Sequence, residues 1–191
     1  MPKRDAHPIE PGSSIYSDAA QALDDAGVSF ALIGGLAANV YRRSRPARVT
    51  VDIDFAVEAV DDAGLLAIEQ SLGTRGWKLA RVLRDDDGTP FLAQFDLDKE
   101  GLRAHVDCMF AGTEFERMAI ASAGDDHLVR PEYLLVYKLI AGRAHDRDDI
   151  DAVLADNRVD EAEVRRWAQA WEVEDRWDLA LRRRERSSSD D

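Results

Sequence analysis

Cysteine is almost missing: Cys108 stands alone among 191 residues, so no internal disulfide framework is available and a packed core must hold the fold. Long apolar runs are missing too. No stretch approaches the ~20 residues a membrane-spanning helix needs, and the opening MPKRDAHPIEPGSS has no apolar h-region, so the sequence predicts a cytoplasmic protein with no membrane partner. Positive charge is scarce. With 25 Lys and Arg against 38 Asp and Glu, the formal charge is −13 and the pI about 4.7. That excludes a surface broadly coated for nucleic-acid phosphate, though not a local basic patch. Four histidines and one cysteine show no zinc-ligand spacing. What is present is core material: 45% hydrophobic residues, in a length that suits one domain with a helical appendage.

Pro2, Pro8, Pro11 and Gly12 predict a flexible arm over residues 1–12. Apolar spacing predicts a helix over 14–26, capped by Ser13 or Ser14 and stopped by Gly27, then a buried strand over 28–33. Gly34-Gly35 turns the chain into a short helix over 36–43. Residues 49–57 alternate most clearly, with Val51, Ile53, Phe55 and Val57 on one face and Asp52 and Asp54 on the other. A helix over 63–72 follows, then strands over 77–83 and 91–97 around the turn Asp85-Asp86-Asp87-Gly88, and a strand over 102–109 in which Arg103, His105 and Asp107 share a face. Residues 110–130 show little regularity. From Pro131, at a helix N1 position, the pattern is helical to about 186, with breaks near 142–146 and 157–160. The order predicts an α/β (α+β) class: a mixed sheet with helices on one face and a C-terminal helical lobe. The expected division is a core over 13–130, a lobe over 131–186 and a disordered tail over 187–191.

Asp52 and Asp54 lie two apart on a strand whose reverse face is apolar, so both carboxylates stand side by side. Two such charges raise each other's pKa or demand a cation, and a hard divalent ion such as Mg²⁺ is the usual remedy. The plain alternative is two aspartates facing solvent. Asp107, with Ala104 and Val106 behind it, can join them as a third carboxylate, while the Gly34-Gly35 turn lets phosphate approach backbone amides at a helix N-terminus. Together these form the protein half of a two-metal phosphoryl-transfer site. Arg42, Arg43, Arg45 and Arg48 make a basic loop that suits a triphosphate or an RNA, or is simply solvated. Lys138 either reaches the cleft or snorkels from an amphipathic helix. Asp146, Asp148 and Asp149 are most simply helix N-terminal charges, Cys108 a core residue, and Trp167, Trp171 and Trp177 packing between helices.

The run Ala31-Leu32-Ile33-Gly34-Gly35-Leu36-Ala37-Ala38, followed by Thr50-Val51-Asp52-Ile53-Asp54-Phe55 and Val106-Asp107, resembles the nucleotidyltransferase signature. The later run Pro131-Glu132-Tyr133-Leu134-Leu135-Val136-Tyr137-Lys138-Leu139-Ile140-Ala141-Gly142-Arg143, with Asp146-Arg147-Asp148-Asp149-Ile150 after it, is similar to the helix pair of abortive-infection (AbiEii-like) toxin-type nucleotidyltransferases. The resemblance implies transfer of NMP from an NTP to an acceptor hydroxyl, with Asp52, Asp54 and Asp107 as catalytic residues holding two Mg²⁺ ions. It implies nucleotide binding by Gly34, Gly35 and Lys138, which Arg48 of the basic loop would join, and an acceptor that is RNA, as in toxin relatives with a cognate antitoxin, or a small hydroxylated molecule. A non-catalytic nucleotide- or partner-binding module of the same fold is the alternative. The sequence departs from the family in having glycine where a serine is common at position 35, and in a long loop before Asp52.

Overall fold

A computed structural model describes residues 9–10, 13–99 and 102–189. The expected arm is therefore described only at Ile9 and Glu10, and the expected disordered tail only as far as residue 189; the rest of both lies outside the described residues. The chain runs α1 (Ser14–Asp25), β1 (Phe30–Ile33), α2 (Gly34–Tyr41), β2 (Asp52–Val57), α3 (Asp62–Thr74), β3 (Lys78–Arg84), β4 (Pro90–Lys99) and β5 (Leu102–Phe110), then α4 (Glu114–Ala121), α5 (Pro131–Ala141), α6 (Ala144–Asp156), α7 (Glu161–Ala170) and α8 (Glu174–Ser189).

The strands form one mixed sheet in the order β1-β2-β5-β4-β3. Only β2 and β5 are parallel, and the helix-and-hairpin crossover between them makes that possible. Phe30, Leu32, Ile53, Phe55, Val106, Cys108 and Phe95 build the buried face. α1 and α3 pack on each other over it, with Tyr16 of α1 stacked on Phe55. The outer edge of β1 is covered rather than open, because Leu32 exchanges backbone hydrogen bonds with His127 and Val129. Ile9 is buried and its N–H donates to Thr50 O at 2.8 Å.

Local chemistry accounts for the element ends. The Ser13 hydroxyl accepts from the Tyr16 amide to start α1, and Asp61 accepts from the Gly64 amide to start α3. α4 falls inside the stretch expected to be irregular. Its signal is a capping box, Thr113 with Glu116, ahead of the buried Phe115, Ala119 and Ile120. β2 begins at Asp52 rather than at 49, since Val49 is 69% exposed and the Arg48 backbone is held by Asn39 of α2 instead of by a neighbouring strand. From Pro131 on there are four helices, α5 to α8: a further break after Trp171 separates α7 from α8. Trp167 and Trp177 are buried, and Trp167 packs on Phe115 and Tyr133.

Candidate active site

Strand register assembles the polar face. Asp54 lies opposite Asp107 and Asp52 opposite His105 across the parallel pair, and β4 extends both rows with Gln94 beside Asp107 and Asp96 beside His105. Residues paired across adjacent strands share a face. One row therefore reads Asp54, Asp107, Gln94, and the next Asp52, His105, Asp96. Gln94 Nε2 donates to Asp107 Oδ1 at 3.1 Å, and His105 Nδ1 lies 2.6 Å from Asp96 Oδ1. Cys108 points to the other side and is fully buried, which pushes its thiol pKa well above the usual range.

The Gly-Gly turn is fitted to Asp54. β1 ends at Ile33, directly opposite Asp54, and Gly34 then takes φ +69° to start α2. A side chain at Gly34 would collide with the Asp54 carboxyl group, and one at Gly35 with Nη2 of Arg48. Glycine at 34 thus serves both a left-handed backbone and a close approach. The Gly35 amide, expected to face phosphate, favours the ionised form of the Asp54 carboxyl.

Charge is concentrated here, and among the described residues no cation forms an ion pair with Asp52, Asp54 or Asp107. Burial, then Asp107, then Asp52 push the Asp54 carboxyl up to about 6, against the Gly35 amide and the more distant Lys138. Burial also raises Asp107, partly offset by the Gln94 hydrogen bond. The nearby cations are engaged elsewhere: Arg42, Lys138 and Arg143 pair with Asp146, Asp148 and Asp149. Among the described residues no three or more His, Cys, Asp or Glu side chains form a ready-made metal cage. The donors are nonetheless of the type a hard cation takes, carboxylate oxygens only, and a cation would relieve the repulsion that raises Asp54.

A cavity of about 320 Å³ opens over these groups, lined by Gly35, Arg48, Thr50, Asp52, Asp54, Arg143 and His145 among others. Of the residues singled out from sequence, Gly35, Arg48, Asp52 and Asp54 meet in its wall. Gly34 adjoins Asp54, and Asp107 stands beside Asp54 on the next strand. Lys138 lies behind the wall, 3% exposed, with its ammonium on Asp146 and Asp149. The basic loop is largely tied inward: Arg42 is buried on Asp148 and Asp149, and Arg45 pairs with Asp148 at 2.6 Å. Sequence reasoning did not single out Arg143 or His145 as wall residues, nor the complete burial of Asp146 and Asp149. The available signal was the three-residue spacing of those aspartates, which puts both on one helix face.

The fold is that of a nucleotidyltransferase. It is similar to the antibiotic-resistance factor ANT(2'')-Ia at 16% identity and a TM-score of 0.52, over 91% of this chain and 96% of that one. It is also similar to an H. pylori protein assigned to the nucleotidyltransferases, at 12% identity and a TM-score of 0.50, over 85% of this chain and 77% of that one. No protein-family model matches the chain. No curated protein matches it in sequence.

Proposed function

We propose that the protein is a metal-dependent nucleotidyltransferase that moves NMP from an NTP to the hydroxyl of a small acceptor. The observation that carries this reading is the placement of Asp52, Asp54 and Asp107 on one sheet face beside the Gly34-Gly35 turn, within a nucleotidyltransferase fold. Asp52, Asp54 and Asp107 would hold two Mg²⁺ ions, which supply neutralisation of the triphosphate and a lowered pKa for the acceptor hydroxyl. Arg48, at the cavity edge, binds phosphate oxygens through its guanidinium fork. Asp107, half-buried and hydrogen-bonded by Gln94, would accept the hydroxyl proton. The Gly34-Gly35 turn keeps Asp54 facing the cavity.

A small acceptor is favoured over RNA because two of the four arginines that would draw RNA, Arg42 and Arg45, pair with Asp148 and Asp149, in a chain of charge −13. Similarity over almost the full length of an antibiotic-resistance factor supports the same choice. The toxin-type relationship, with RNA as acceptor and an antitoxin as partner, is the competing reading. Incubation with Mg²⁺ and each α-labelled NTP, with a panel of hydroxylated small molecules or with total RNA, separates the two. Label is expected on a small molecule. Label on RNA alone would move the assignment to the toxin type, and NTP bound without turnover under any condition would make the protein a binding module.

A further inference from the structure

Behind the cavity wall lies a set of charges with almost no access to solvent. Lys138 Nζ donates to Asp146 Oδ1 at 3.1 Å and to Asp149 Oδ2 at 2.8 Å, and both aspartates are completely buried on α6. Asp146 Oδ2 accepts from the Arg143 backbone N–H at 3.0 Å and from its Nε at 2.9 Å. Asp149 Oδ1 accepts from Arg42 Nη1 at 2.8 Å, and its Oδ2 lies 3.7 Å from Arg48 Nε. Each buried carboxylate therefore reaches one of the two arginines in the cavity wall.

Arg48 is held from two sides. Its backbone exchanges hydrogen bonds with the Asn39 side chain, N–H to Oδ1 and Nδ2 to O, both at 2.8 Å. Its side chain lies between Asp149 at the Nε end and Gly35 at the Nη2 end. Among the described residues the buried Nε has no hydrogen-bond partner, and it faces Asp149 Oδ2 as an ion pair at 3.7 Å. A guanidinium held at the edge of a cavity lined by Asp52 and Asp54, with Nη2 beside Gly35, can meet an anion there through its outer nitrogens while its buried Nε faces Asp149. Lys138 is differently placed. Its ammonium cannot turn to the cavity without giving up both of its hydrogen bonds to buried carboxylates, leaving Asp149 to Arg42 and Asp146 to Arg143.

We propose that Asp149, charge-matched by Lys138, is a positioning residue that holds Arg48 over the Gly34-Gly35 turn to receive the triphosphate of a nucleotide. Lys138 then acts from behind the wall and does not touch the nucleotide. This rests on the nucleotide-binding reading of the cavity.

The sign of one substitution separates the alternatives. Asp149→Asn removes a negative charge near an anion site, so if Lys138 contacts phosphate directly, its release should tighten NTP binding. If Asp149 positions Arg48, the same change weakens binding. Calorimetric titration of the full chain with Mg·NTP is expected to show about tenfold weaker binding for Arg48→Ala, the scale of one charge-assisted hydrogen bond, and a comparable loss for Asp149→Asn. In an Arg48→Ala background, Asp149→Asn should cost nothing more. Should Asp149→Asn not fold, Lys138→Met/Asp149→Asn removes both charges together. It too should weaken binding with Arg48 present and have no effect without it, whereas a direct Lys138 contact would give a further loss in both backgrounds. Wild-type binding that Arg48→Ala weakens and Asp149→Asn leaves unchanged or tightens overturns the proposal alone. No binding of any NTP to the wild type overturns the reading of the cavity, and this proposal with it.

Discussion

At Asp54 three effects act in the same direction. Burial, Asp107 and Asp52 all favour the protonated acid, and the carboxyl reaches about 6 where an unfolded chain would titrate near 4. The native state therefore binds this proton more tightly than the unfolded state. Without metal, stability is fullest below about pH 4 as far as this group is concerned, and is lost as pH rises through about 6. Asp54→Asn should accordingly raise the melting midpoint in chelator at pH 7.5 by a few degrees, about 1–2 kcal/mol, with no gain at pH 4. A midpoint difference independent of pH would contradict this. Mg²⁺ should compete with the same proton, so its apparent affinity should rise with pH through about 6. Gly34 offers a second test at this scale. Ala at this position meets both a φ of +69° and the Asp54 carboxyl group, so Gly34→Ala should lose about 1–3 kcal/mol in urea unfolding, together with NTP turnover.

Between elements, the sequence was legible where one strand or helix decides the matter. Alternation in β2 and β5 gave the faces of Asp52, Asp54 and Asp107, because a period of two needs no partner. That the two faces coincide was legible from the family resemblance and not from periodicity, since Asp54 and Asp107 meet through a parallel pairing across a helix and a hairpin. α4 was readable in principle from Thr113 and Glu116, but the surrounding composition hid it. Asp146 and Asp149 looked like helix-end charges because nothing local reveals burial. Arg42, 107 residues earlier in the chain, supplies the counter-ion that makes Asp149 tolerable inside. Charged residues that pair across long separations are invisible to any reading of periodicity.

For the whole molecule, that same seam ties α2 and the loop after it to the C-terminal helices. α2 packs against α5 and α6, Arg42 reaches Asp148 and Asp149, Ser44 N–H donates to Asp156, and Asn157 donates to Tyr41 O. Both parts should therefore unfold together. Arg42→Met should cost about 3–5 kcal/mol, the scale for breaking a buried ion pair, and still give one transition, with tryptophan fluorescence and far-UV circular dichroism coincident. A separate earlier transition would show that the lobe folds alone. The central claim is the catalytic one, and pyrophosphate release from NTP in the presence of Mg²⁺ and an acceptor tests it most directly. The wild type should release pyrophosphate, and chelation or Asp54→Asn should abolish the release while that variant stays folded. Undiminished release from Asp54→Asn would contradict it.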